Sequence, residues 1–77
     1  MTRYALSSVP FMGDQEPPFA VLTTDDTGTL VKIEAYPGVD SEGAQDAERL
    51  SMILENEPGS LTLNRLAVSY GAVKEMP

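Results

Sequence analysis

The stretch FAVLTTDDTGTLVKIEAY, residues 19–36, constrains this chain more than any other. Two runs rich in Val, Ile, Thr and aromatic residues flank Asp-Asp-Thr-Gly, which predicts a β-hairpin closed by a type I turn with Gly28 in the left-handed position. With Asp26, Thr27 and Gly28 as the loop, Asp25 faces Thr29. Counting outward then pairs Thr23 with Val31, Val21 with Ile33 and Phe19 with Ala35. Every member of that face is apolar or Thr. The other face pairs Leu22 with Lys32 and Ala20 with Glu34, and a slip of one residue would carry Lys32 and Glu34 into the core. A two-stranded hairpin is marginal in water, so further elements must cover it.

Those elements can be read on either side. RYALSSV, residues 3–9, predicts a third strand ending at Pro10, with Tyr4 and Leu6 on one side and Ala5 and Val9 on the other. GDQEPPF, residues 13–19, reads as a loop feeding the hairpin. After Pro37, Asp40 or Ser41 can cap a helix, Glu42 suits the positive end of its dipole, and Pro58-Gly59 ends it. Within 41–56, Ala44, Ala47, Leu50 and Leu54 recur at spacings of three and four, with Ile53 beside them, and form one apolar stripe for the sheet. Gln45, Asp46, Glu48, Arg49, Met52 and Glu55 turn elsewhere, and Gly43 weakens the first turn.

Residues 61–71 admit two readings. Leu63, Leu66, Ala67 and Tyr70 fit a helix from a Ser60 cap to a Gly71 stop, whereas Leu61, Leu63, Leu66, Val68 and Tyr70 also alternate as strands would. Spacing and caps favour the helix, with a frayed tail from Lys74. The expected fold class is therefore α+β: a small antiparallel sheet (hairpin 19–36, third strand 3–9) covered by helix 41–56, with a helix or strand at 61–71, in a single small domain 1–77.

Seventy-seven residues hold one modest core, and without cysteine neither a disulfide nor a thiolate metal site can staple it. Oligomerisation is the remaining way to bury more surface. Histidine, the commonest general base and metal ligand, is absent as well. At 42% apolar the chain is nonetheless too hydrophobic for an obligately disordered segment. There is no apolar run of roughly 18 residues, and Met-Thr-Arg-Tyr does not begin a signal peptide, so the expected location is the cytoplasm, with no membrane contact.

The motif search is mostly negative. No phosphate loop, nucleophile elbow or calcium loop is present, and no Ser, Thr or Lys has an evident base beside it. Asp25 and Asp26 could be a metal or acid/base pair, but Asp at these positions is better explained as a turn former. Glu42 and Asp46, one helical turn apart, could share a cation, but a solvated helix face explains them more simply. No catalytic residue, metal or cofactor is therefore expected, and the chain reads as no enzyme.

Charge says more. Residues 14–57 carry eleven carboxylates against Lys32 and Arg49 alone, a local balance of −9 in a chain whose total is −7. Such a field repels nucleic acid and membranes and speeds encounter with basic partners. One reading is competition with nucleic acid for a protein's basic groove, with Asp40, Glu42, Asp46, Glu48, Glu55 and Glu57 standing in for phosphates. The other is solubility alone. A separate candidate surface is the mixed hairpin face, where Leu22, Leu30 and Tyr36 must be covered by another element, a partner or a second copy.

The order of strand, Asp-rich turn, GTLVKIEAYPG and DAERLSMILENEP resembles a class of small phage-encoded accessory proteins in which a hairpin precedes an A-x-L-I-x-x-A-P-like helix. The matching positions are Ala47, Leu50, Met52 and Pro58, with departures at Glu48, Ser51 and Glu55, over about half the chain. Some such proteins inhibit host defence, including CRISPR complexes. The resemblance implies a phage or mobile-element origin and action in the host cytoplasm, and it transfers no functional residue.

Overall fold

A computed structural model of the chain describes residues 1–7, 18–70 and 72–76. The elements are β1 (Thr2–Ser7), β2 (Pro18–Thr24), β3 (Leu30–Ala35), α1 (Ser41–Asn56), α2 (Leu63–Tyr70) and β4 (Ala72–Glu75). The strands form one antiparallel sheet in the order β3-β2-β1-β4, with α1 packed on β2 and β3. The expected α+β architecture is what the chain adopts. The predicted end of the first strand at residues 8–9, the loop at 13–17 and the Gly71 stop lie outside the described residues.

The hairpin turn forms as its residues dictate. Asp25 N–H donates to Thr29 O at 3.0 Å, and Gly28 takes φ +86°, a region that L side chains rarely adopt. Above the turn the register departs from the counted one. Val31 is an extra residue: Thr24 lies opposite Leu30 but Thr23 lies opposite Lys32, and the ladder continues as Leu22–Ile33, Val21–Glu34 and Ala20–Ala35. The expected pairs Thr23–Val31, Val21–Ile33, Phe19–Ala35, Leu22–Lys32 and Ala20–Glu34 are all displaced by one. The physical reason is the odd spacing of Leu30 and Ile33, since strict alternation would put one of them in water, whereas a bulge brings both to the same face. A second irregularity, between Leu6 and Ser7 opposite Ala20 and Pro18, likewise buries the adjacent Phe19 and Ala20 in one core.

That core contains Leu6, Leu22, Leu30, Ile33, Ala47, Leu50, Leu61 and Leu66 together with Phe19 and Ala20. Each fully buried large aliphatic side chain stabilises the fold by about 1.5–3 kcal/mol. α1 starts at Asp40, whose Oδ1 accepts the Gly43 amide at 2.9 Å. Its most buried positions are Gly43, Ala47 and Leu50, with Leu54 partly buried against the core and Ile53 turned outward. Gly43 is no weak point here. A Cβ at this position would collide with the Val39 side chain and lie 3.1 Å from Phe19 Cβ, so the missing side chain is what lets the helix seat on β2.

The C-terminal segment is a helix and then a strand. Thr62, not Ser60, caps α2: its Oγ1 accepts Arg65 N–H at 3.2 Å and its carbonyl accepts Leu66 N–H at 3.1 Å. Leu66 is buried, and the Tyr70 ring lies 5.5 Å from that of Phe19. The tail expected to fray from Lys74 instead forms β4, which pairs Lys74 with Ala5 and Val73 with Leu6.

Candidate interaction surface

α1 displays its carboxylates in several settings rather than as one cluster. Asp40 is committed to the cap, and Asp46 Oδ1 accepts from Arg49 Nη1 at 3.0 Å. Glu42, Glu48, Glu55 and Glu57 are exposed and have no ion-pair partner among the described residues. Glu48 and Glu55, seven residues apart, share one flank, while Glu42 and Asp46 share another. Glu57 closes the helix, donating its amide to Ile53 O at 2.9 Å. The six predicted partner-binding residues thus spread over both flanks and both ends of a helix about 24 Å long.

The C-terminal end is electrostatically unusual. The last turn of α1 has no basic residue, yet Glu55 and Glu57 stand at the negative pole of the helix dipole. A charge of the wrong sign there costs about 0.3–1 kcal/mol. Glu42, at the opposite end, is favourably placed.

Leu22 and Leu30 do not form a surface for a second copy. They are 0% and 2% exposed, on the sheet face that α1 covers. The shifted register is the cause: with Val31 as the extra residue, Leu22 lies opposite Ile33, and Leu30 falls on the same covered face. Tyr36 is half-buried and separate from both. It lines an open groove of about 560 Å³ with Pro37, Phe19 and Val39, whose rim carries Asp40, Glu42 and Asp46. An aromatic face beside carboxylates suits a cationic side chain.

The sheet face away from α1 has the opposite character. The ladder sets Arg3, Thr23 and Lys32 in one row and Lys74, Ala5, Val21 and Glu34 in the next. Among the described residues, three of the five cations therefore share this face with one carboxylate, in a chain of net charge −7. Sequence reasoning missed this grouping because it depends on β4. The alternation of Ala5 and Val9 against Tyr4 and Leu6 carried a hint of a second face but not of its charge.

Asp25 is a turn former. Its Oδ1 accepts from Thr27 Oγ1 at 2.7 Å, Thr27 N at 2.9 Å and Thr29 N at 3.1 Å. The Thr27 hydroxyl bond is the main reason its carboxyl titrates below the ordinary aspartate value, with the Thr29 and Thr27 amides adding to it. Among the described residues no three His, Cys, Asp or Glu side chains converge as a metal site, and no helix is long and apolar enough to cross a membrane. No family model, curated protein or solved structure matches this chain.

Proposed function

We propose that this chain is a non-enzymatic interaction protein that binds, through the exposed carboxylates of α1, a protein partner with a basic nucleic-acid-binding surface. It occupies that surface by steric block or by mimicking phosphates. The observation that carries this reading is Glu55 and Glu57 at the unfavoured end of the helix dipole. A sequence selected only for stability and solubility has many other positions for two charges, whereas a binding surface requires them where the partner meets them. The resemblance to small phage-encoded proteins supports a host-defence complex, including one of the CRISPR type, as the target, and host cytoplasm as the setting.

The test is capture from bacterial lysate by tagged protein, with a Glu42→Lys/Glu48→Lys/Glu55→Lys variant beside it. These side chains are exposed, so the variant keeps the fold. The expected result is a nucleic-acid-binding complex retained by the original chain, released by salt and lost in the variant. Equal retention by both proteins would refute the reading.

A further inference from the structure

Among the described residues β3 is an edge strand, and part of its free side is open. Tyr36 N–H donates to Phe19 O, so antiparallel alternation turns the main-chain groups of Glu34 and Lys32 toward β2 and those of Ile33 and Ala35 away from it. Toward the hairpin turn the free side is covered, since Leu30 N–H donates to Leu61 O at 3.0 Å and Leu63 N–H to Gly28 O at 2.9 Å. Beyond Leu30 no described segment pairs with it. Beside this opening a groove of about 620 Å³ runs between β3 and α1, with Leu30, Val31, Ile33 and Leu54 as apolar lining and Lys32 and Glu55 among its polar lining. Val31 at its mouth is 45% exposed.

Edge strands with free main-chain groups recruit other strands unless something prevents it. Lys32 is such a guard, because a strand paired here must answer its charge on the face away from α1. β3 itself carries the answer. From the geometry we infer that a second copy of this chain adds to this edge, β3 against β3 in antiparallel sense about a two-fold axis at Ile33. In that register the two Ile33 residues exchange their main-chain hydrogen bonds, and Lys32 of each copy lies opposite Glu34 of the other, on the same face. Two-fold pairing with the axis on Lys32 or on Glu34 would instead oppose like charges. Within one chain the Lys32–Glu34 pair is long and exposed, 3.8 Å with side chains 64% and 47% accessible, so both groups are free to serve this contact. The inference stands independently of the proposed partner of α1.

Sedimentation equilibrium of the full chain over a wide concentration range at physiological salt tests it. The mass should rise from 8.3 kDa to twice that value and no further. Lys32→Glu and Glu34→Lys, each checked for an unchanged circular dichroism spectrum, should each raise the association midpoint on the order of tenfold or more, because each creates two like-charge pairs per dimer. Lys32→Glu/Glu34→Lys restores opposite pairs in reverse and should return the midpoint to that of the original chain. An equimolar mixture of the two single variants should form a heterodimer. A chain monomeric throughout, a midpoint indifferent to the single changes, or a double variant that fails to recover would each overturn the inference.

Discussion

Replacing Gly43 by Ala sets two effects of known size against each other. Ala is favoured over Gly by about 1 kcal/mol in a helix interior, and less at the third residue of α1, so propensity alone predicts a more stable protein. Packing predicts the reverse. The added methyl would overlap Val39 and press on Phe19 Cβ, a position that no side-chain rotation can relieve. Overfilling a packed site costs about 1–3 kcal/mol, and lifting α1 from β2 would also strain the Asp40–Gly43 cap bond of 2.9 Å. The net expectation is a loss of about 1–2 kcal/mol, which for a domain of this size lowers Tm by roughly 4–16 °C. Thermal and urea unfolding measure it. Val39→Ala removes the worst overlap, so Gly43→Ala should cost less in that background, with a coupling of about 0.5 kcal/mol or more. A Gly43→Ala chain that melts above the original, or additive losses in the double variant, would refute the claim that this glycine is set by contact.

Other perturbations test other parts of the fold. Leu30→Asp places a carboxylate in the apolar core and should abolish the folded circular dichroism signal at neutral pH, whereas Met52→Asp, at a position 54% exposed, should change stability by no more than about 0.5 kcal/mol. Thr62→Ala removes the α2 cap and should cost about 0.5–2 kcal/mol in urea unfolding. Asp25 has a folded-state pKa below its unfolded value, so its contribution is present above the unfolded pKa and is lost as pH falls toward the folded one. Asp25→Asn should therefore be less stable than the original at neutral pH, with the difference narrowing through the acid range. A constant difference at all pH values would argue against the turn bonds as its source.

What the sequence made legible was local, and what it hid was relational. The turn at 25–29, the Asp40 cap and the α1 stripe each depend on residues within one or two turns of one another, and those signals read correctly. The hairpin register failed because counting from the turn assumes unbroken alternation, and the contrary signal was the three-residue interval from Leu30 to Ile33. That single error moved Leu22 and Leu30 from the core to a supposed outer face. β4 was hidden for a different reason. AVKE is too short to show periodicity, and its place is set by the partner it finds in β1. Of the candidate surface, the exposure of Glu42, Glu48, Glu55 and Glu57 was legible, and so was the capping role of Asp40, whereas the pairing of Asp46 with Arg49 was not.

The charges on the two sides of the sheet link the two proposals. Among the described residues, α1 carries exposed carboxylates on one side of the sheet, and the opposite face carries Arg3, Lys32 and Lys74 with Glu34, so the two sides differ in charge. On the proposed function, that difference would favour approach of a basic partner to α1. Addition at β3 keeps that arrangement, because strands joined edge to edge continue one sheet and leave the helices of both copies on the same side. The pair would then offer two acidic helices to one basic surface, and a partner engaging both gains from effective concentration without a new contact. The cost is repulsion between two chains of −7, softened at physiological salt, where fields decay over about 8 Å, while the Lys32–Glu34 contacts lie well inside that distance. Short-range complementarity at the edge thus opposes a screened repulsion, and it does so only in the register that centres on Ile33.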